Sequence, residues 1–269
     1  MEQPKNNLKI IADKKNARVI LPNMLTLIGV CIGLTSIRFA LSGEFHLAII
    51  AIIFAALFDG LDGRIARLIK ATSKVGKELD SLTDMISFGV APAFIMYFWK
   101  LNTLGRFGWL LCLVYVICVA LRLARFNVNS SQEPSWKDNF FEGVPSPAGG
   151  ILVLTPLILS LTEFDYIQLN YDMIVPIFFI STSFLLISKF PSYSFKKIVI
   201  QRKTTIFLLF GIVLFFGLLL IYTFEVIAIS SIIYLLLLPI SFLHYSKIKK
   251  SQENDNIQDQ NEEDLEDIL

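Results

Sequence analysis

Four aspartates in one short segment are the residues of this sequence best suited to chemistry. The segment, residues 59–84, reads DGLDGRIARLIKATSKVGKELDSLTD. Asp59 and Asp62 are three residues apart, and Asp80 and Asp84 are four apart, so each pair lies on one face of a helix. A short connection between the two helices would make them antiparallel neighbours and bring the four carboxylates together. Converging carboxylates repel one another unless they are protonated, paired or neutralised by cations.

The residue types around these aspartates predict a metal-bridged pyrophosphate ligand. Oxygen-only ligands favour Mg²⁺ or Mn²⁺ rather than zinc. Gly63 and Gly76 lack side chains and Ala66 has a small one, so a bulky ligand can approach the backbone. Arg67 offers a planar fork of donors for phosphate. Together these features indicate metal-assisted chemistry on a phosphate group.

The elements that must position these residues are membrane helices. The chain has 269 residues, of which 54% are hydrophobic and 17% charged, which excludes a soluble globular protein. A helix needs about 20 apolar residues to cross the ~30 Å hydrocarbon layer. Eight such runs occur, at residues 22–41, 45–68, 78–99, 107–125, 147–163, 172–188, 204–222 and 226–245. Because the runs are continuously apolar, they predict an all-α polytopic bundle rather than a β-barrel.

The distribution of positive charge predicts cytoplasmic N- and C-termini. In that orientation nearly all Lys and Arg residues lie at the inner face of a cell or inner membrane, and the exceptions are Arg38, Lys100 and Arg106. The aspartates then lie near the inner ends of their helices. We therefore expect the active site to face the cytoplasm.

Four segments are expected along the chain. Residues 1–21 form a basic interfacial segment, since lysines alternate with apolar residues there, although a frayed basic leader is the alternative. Residues 22–190 form the helical core, and 191–246 form a basic loop with two additional transmembrane helices. Residues 247–269 form an acidic tail with too few large apolar residues to offset ordering entropy, so disorder is predicted.

The aspartate segment resembles the signature of the CDP-alcohol phosphotransferase family. That signature is Asp, two residues, Asp-Gly, two residues, Ala-Arg, eight residues, Gly, three residues, Asp, three residues, Asp, and residues 59–84 match every fixed position. Members have a six-helix membrane core and transfer a phosphoalcohol from a CDP-linked donor to an acceptor hydroxyl, releasing CMP. The resemblance implies this core, two divalent cations and a homodimer.

The resemblance also implies roles for the signature residues. The metal ligands are Asp59, Asp62, Asp80 and, near a second ion, Asp84. Asp84 is in addition the general base. The residues that line the CDP-donor site are Asp62, Gly63, Ala66, Arg67 and Gly76.

Three further stretches resemble the branch of the family that makes phosphatidylserine from CDP-diacylglycerol and L-serine. They are DSLTDMISFGVAPA, RLARFNVNS and FFEGVPSPAGG. The carboxylate of serine needs a cation or an amide, and its ammonium needs a carboxylate or carbonyl. Residues that offer this chemistry are Arg122, Arg125, Asn127, Glu142 and Ser146. The two arginines could equally hold the donor's phosphate or act as inner-face anchors.

Three other interpretations remain open. The acceptor could be glycerol 3-phosphate or inositol phosphate, whose double charge needs a denser cationic pocket. The acids could be the ion path of a membrane transporter, although such a path does not require the glycines and Arg67. A silent scaffold could pair Asp62 with Arg64 and Arg67. The expected partners are CDP-diacylglycerol, L-serine and membrane lipids, with no nucleic acid.

Overall fold

The described part of the chain is almost entirely helical. The computed structural model describes residues 14–70, 73–129, 140–162, 170–188, 191–193 and 202–242. The helices are α1 (Lys14–Leu41), α2 (Phe45–Leu68), α3 (Lys74–Asp84), α4 (Ala91–Trp99), α5 (Arg106–Asn129), α6 (Ser146–Ser160), α7 (Tyr171–Ile187), α8 (Arg202–Ile221) and α9 (Thr223–Phe242). A π-helical segment, Met85–Val90, joins α3 to α4, and a 3-10 turn, Leu101–Leu104, follows α4.

The predicted all-α polytopic membrane protein is confirmed. Each of the eight predicted apolar runs is mainly helical where it is described, and the third comprises α3, the π segment and α4. Among the described residues, five helices are long and apolar enough to cross a membrane, and they are Ile20–Leu41, Phe45–Leu68, Lys74–Trp99, Arg106–Val128 and Thr223–Phe242. The other three apolar helices are shorter. The 15 residues of α6 rise only about 22 Å at ~1.5 Å per residue, less than the ~30 Å layer.

The first helix begins earlier than expected. It starts at Lys14 rather than near residue 22, and Pro22 lies inside it. A proline inside a helix lacks the N–H that would bond to the preceding turn, and here the Pro22 carbonyl oxygen lies 3.0 Å from the Thr26 hydroxyl oxygen. Residues 14–21 of the predicted interfacial segment therefore continue into α1. Residues 1–13 and the acidic tail, 247–269, lie outside the described residues.

A short β ribbon, which hydropathy did not predict, connects two loops. Strand β1 (Phe140–Glu142) pairs antiparallel with β2 (Pro191–Tyr193). The ribbon leads through Gly143 into α6. Gly143 has a φ of +74°, and a Cβ there would lie 2.9 Å from the Ser188 carbonyl oxygen at the end of α7. Only glycine suits both constraints, so the ribbon and the start of α6 are held against α7.

The centre of the core surrounds the π segment. Tyr115 of α5 and Phe179 of α7 are fully buried and stack edge to face, with ring centroids 5.5 Å apart. The Tyr115 hydroxyl donates a 2.7 Å hydrogen bond to the Phe88 carbonyl. The Ser87 hydroxyl donates to the Gly29 carbonyl of α1 at 3.3 Å. These contacts attach the π segment to α1 and α5, and through Tyr115 to α7, and thereby restrain the residue before it, Asp84.

The end of the bundle farthest from the aspartates carries an ion pair. Lys100 Nζ, just after α4, lies 3.1 Å from Asp172 Oδ1 at the start of α7. The rings of Trp99 and Tyr171 pack edge to face beside it, 5.5 Å apart. Lys100, one of the three basic residues that the charge pattern places on the outer side, therefore pairs with the start of α7.

Candidate active site

Three of the four signature carboxylates converge between α2 and α3. Each of Asp59, Asp62 and Asp80 offers one carboxylate oxygen, and these oxygens lie within 4.8 Å of one another. The two helices can face each other because the chain leaves the helical conformation after α2. Ser73 then caps α3, since its hydroxyl accepts a 2.9 Å hydrogen bond from the Gly76 backbone N–H. The spacing in the sequence thus produces the predicted meeting of the two helices' acids.

The cluster suits a divalent cation. Its donors are carboxylate oxygens, which Mg²⁺ and Mn²⁺ prefer, and Asp62 is only 3% exposed. Thr26 of α1 donates a 2.6 Å hydrogen bond to Asp62 Oδ2. One hydroxyl cannot offset the repulsion among three carboxylates, so a cation is the natural partner. Sequence reasoning missed Thr26, whose only signal was a hydroxyl within an apolar run.

Asp84 lies beside the three-acid cluster, and residues of α6 and α5 hold its carboxyl group in place. Its carboxyl group is a neighbour of the Asp59 carboxyl group. The Ser146 hydroxyl, at the start of α6, donates to Asp84 Oδ2 at 2.6 Å. Arg122 Nη1 of α5 in turn donates to Ser146 Oγ at 2.8 Å. The structure therefore brings two of the predicted acceptor-site residues to the proposed base.

Two polar atoms in this group stand out among the described residues. Asp84 Oδ1 and Arg122 Nε are both buried and have no hydrogen-bond partner. Buried polar atoms in folded proteins are nearly always paired, and an orphan often marks the place of a ligand or ion. The residues that carry these two atoms, Asp84 and Arg122, are both hydrogen-bond partners of the Ser146 hydroxyl.

The predicted donor-site residues differ in how open they are. A Cβ at Gly63 would have nothing within 4 Å, whereas one at Gly76 would lie 3.0 Å from the Asn23 side-chain oxygen. Arg67 is exposed and its Nε donates to the Gly63 carbonyl at 3.0 Å. Ala66 is half-buried on the same helix. The α2 side of the cluster therefore leaves room for a ligand, while Gly76 allows close packing against α1.

The other predicted acceptor-site residues have partners elsewhere or lie outside what is described. Arg125 Nη1 donates to the Ile187 carbonyl at the end of α7, at 2.6 Å. Asn127 Nδ2 donates to the Ser81 hydroxyl of α3 at 2.9 Å. Glu142 lies in β1, and its side chain is outside the described part. Arg125 and Asn127 thus tie α5 to its neighbouring helices.

Comparison with known proteins gives consistent matches. The CDP-alcohol phosphatidyltransferase family matches residues 19–243. CDP-diacylglycerol–serine O-phosphatidyltransferase of Mycobacterium leprae is 45% identical over 174 residues, which are 64% of this chain and 57% of that protein. The protein of the same name from Helicobacter pylori is 35% identical over 201 residues, 75% of this chain and 83% of that protein. The one from Bacillus subtilis is 35% identical over 177 residues, 66% of this chain and 92% of that protein.

The extent of these matches decides what they establish. The matched part spans less than two thirds of the mycobacterial relatives. The family match, however, covers most of this chain and includes the aspartate cluster, Arg122 and Ser146. The chain belongs to the CDP-alcohol phosphatidyltransferase family.

Proposed function

We propose that this protein transfers the phosphatidyl group of CDP-diacylglycerol to the hydroxyl of L-serine, giving phosphatidylserine and CMP. The observation that carries the proposal is the convergence of Asp59, Asp62 and Asp80, with Asp84 beside them, at one end of membrane helices. A lipid-linked pyrophosphate would present its charged group at this depth. Relatives in three bacteria bear the name of this activity.

The cluster would hold Mg²⁺ or Mn²⁺, in our proposal two ions. Asp59, Asp62 and Asp80 are the ligands, and Asp84 lies near the second ion. When bound, the cations neutralise the pyrophosphate and stabilise the charge that develops on the leaving CMP. The exposed Arg67 binds a donor phosphate.

The remaining donor-site residues shape the space for the cytidine diphosphate group. Gly63 and Ala66 leave α2 open beside the acids, and Gly76 lets α3 pack closely against α1. Asp62 belongs both to the metal cluster and to this surface. The donor would therefore lie along α2.

The reaction is an in-line displacement at the phosphorus next to the diacylglycerol. The serine hydroxyl oxygen forms a bond to this phosphorus, and the bond from phosphorus to the bridging oxygen breaks. CMP leaves with that electron pair, and the hydroxyl proton passes to Asp84. Asp84 suits this role because its carboxylate, whose Oδ1 is buried and without a hydrogen-bond partner among the described residues, lies next to the cluster that would hold the donor.

The charge beside Asp84 favours serine as the acceptor. Within the described residues, Arg122 is the arginine that approaches Asp84 through Ser146, and Arg125 is engaged with α7. One guanidinium matches the single negative charge of the serine carboxylate better than a doubly charged phosphate. Asn127 and Glu142 stay predicted contacts of the acceptor.

The orientation and the oligomeric state are further parts of the proposal. The positive charge of the loops supports cytoplasmic termini and a cytoplasmic active site. A cysteine placed at Asp172 should then react with an impermeant thiol reagent from outside only. The homodimer implied by the family should appear as a doubled mass in detergent.

The decisive experiment measures CMP release from CDP-diacylglycerol by the purified chain in detergent with Mn²⁺. L-serine, glycerol 3-phosphate, inositol phosphate and no acceptor are compared. We expect release that depends on serine, with phosphatidylserine as the lipid product. Release with another alcohol would overturn the acceptor but keep the chemistry, and no release with any acceptor would overturn the proposed activity.

A further inference from the structure

The geometry points to Ser146 as the residue that positions Asp84, with Arg122 orienting Ser146, rather than as a contact of the acceptor. This inference rests on the proposed role of Asp84 as the base. It changes the part played by Ser146, whose residue type alone suggested serine binding. Three observations support it, and each concerns the hydrogen bonds or packing of Ser146.

The first observation is the direction of the hydrogen bonds at Ser146. A serine hydroxyl has one proton to donate. Arg122 can only donate, so its 2.8 Å bond uses a lone pair of Ser146 Oγ. The single proton of Ser146 therefore goes to Asp84 Oδ2, at 2.6 Å. Ser146 is 1% exposed, and it has no second proton to offer an acceptor.

The second observation is the state of the other Asp84 oxygen. Ser146 already uses one lone pair of Oδ2, and we infer that the proton of the acceptor hydroxyl passes to the other oxygen, Oδ1. Asp84 Oδ1 is buried without a hydrogen-bond partner among the described residues. The hydrogen bond from Ser146 to Oδ2 thus holds the carboxylate in one orientation and keeps the unpaired Oδ1 in one defined position. Holding a catalytic group in its productive geometry increases the rate of the chemical step.

The third observation is that several elements hold Ser146 in place. It follows Pro145, whose carbonyl accepts a 2.8 Å hydrogen bond from the Gly149 N–H in the first turn of α6. Val144, which precedes Pro145, is fully buried and forms a cluster with Leu152 and Leu238. Because Leu238 belongs to α9, this helix supports the loop from which the Ser146 hydroxyl reaches Asp84.

Substitution of Ser146 separates positioning from acceptor binding. In the CMP-release assay, Ser146→Ala should lower kcat by about 10- to 100-fold and leave KM for L-serine within about 2-fold. Ser146→Thr, which keeps the hydroxyl donor, should recover most of kcat. The matched control is Ser160→Ala at the far end of the same helix, where the hydroxyl donates only to the Leu157 carbonyl. It should keep the wild-type kcat.

Several results would overturn the inference. A raised KM with unchanged kcat in Ser146→Ala would make Ser146 a contact of the acceptor. Wild-type kcat in that variant, or equal losses with alanine and threonine, would leave no positioning role. If the alanine variant unfolds in detergent, Ser146→Cys replaces it, since a thiol of similar size is a weak donor. The same loss of kcat is then expected.

Failure of the proposed function would look different. The wild-type protein would then release CMP with another alcohol, or with none. If another alcohol is the acceptor, the ratio of kcat between Ser146→Ala and the wild type, measured with that alcohol, still decides the role of Ser146. If no acceptor supports release, Asp84 has no role as a base and the inference fails with the proposed function.

Discussion

The aspartates at the two ends of the bundle differ in burial and in the charge of their neighbours. At one end Asp59, Asp62 and Asp80 lie together, and Asp62 is 3% exposed. At the other end Asp172 is 59% exposed and pairs with Lys100 at 3.1 Å. Grouping like charges in a buried place lowers stability, whereas an exposed pair changes it little. This difference fits our proposal that the first end binds a cation and a substrate at a cost in folding free energy, whereas the Lys100–Asp172 pair has no such role.

The largest expected effect contrasts one aspartate from each end. Asp84→Asn should lower kcat by about 100- to 10,000-fold, the usual contribution of a general base, and still bind CDP-diacylglycerol. Asp172→Asn, the matched control, should stay within about 2-fold of the wild type. The measurement is serine-dependent CMP release. An Asp84→Asn variant with full activity would remove the base from the mechanism.

A second prediction concerns stability without metal. In EDTA, Asp80→Asn should have a thermal midpoint equal to or above that of the wild type, because one repelling charge is gone. Mn²⁺ at about 100 times its dissociation constant should stabilise the wild type by ~2.7 kcal/mol and the variant by less. EDTA should abolish CMP release, and Mn²⁺ or Mg²⁺ should restore it.

The opposite result would support a different interpretation of the cluster. If Asp80→Asn lowers the thermal midpoint in EDTA, the acids are stabilised by pairing within the protein. The silent-scaffold alternative would then gain support. Activity that persists fully in EDTA would speak against a metal site.

The smallest expected effect concerns the Lys100–Asp172 ion pair, at the end of the bundle opposite the aspartate cluster. Lys100→Gln should change the free energy of unfolding by less than about 1 kcal/mol, as is usual for exposed ion pairs, and leave CMP release unchanged. Denaturant unfolding of this variant, of Asp172→Asn and of the double variant gives the coupling energy. A coupling above about 2 kcal/mol would mean that this end also contributes strongly to stability, and the contrast between the ends would fail.

Hydropathy predicted most of the fold, because a membrane helix is recorded in the length and composition of its own residues. The features that it missed depend on distant partners. The π segment, Met85–Val90, is held by Tyr115 and by the Gly29 carbonyl, and neither contact is visible in the segment itself. The β ribbon joins two loops that are far apart in the chain.

The same distinction applies to the site. The spacing of Asp59, Asp62 and Asp80 predicted their convergence, because helical periodicity acts over a few residues. The contact of Ser146 with Asp84 spans 62 positions, so residue type suggested Ser146 but could not show its partner. Arg125 has the chemistry of a ligand contact, yet it binds the end of α7.

The ribbon also has a consequence for the order of events during synthesis. β1 precedes α6 and α7 in the chain, and its partner β2 follows them. The ribbon can therefore form only after roughly 50 further residues have been synthesised, which takes about 3 to 10 s at usual translation rates. Until then nothing from β2 restrains the approach to Ser146. The nascent protein therefore completes the surroundings of Asp84 only after its seventh helix has been made, and catalytic competence arrives late in biogenesis.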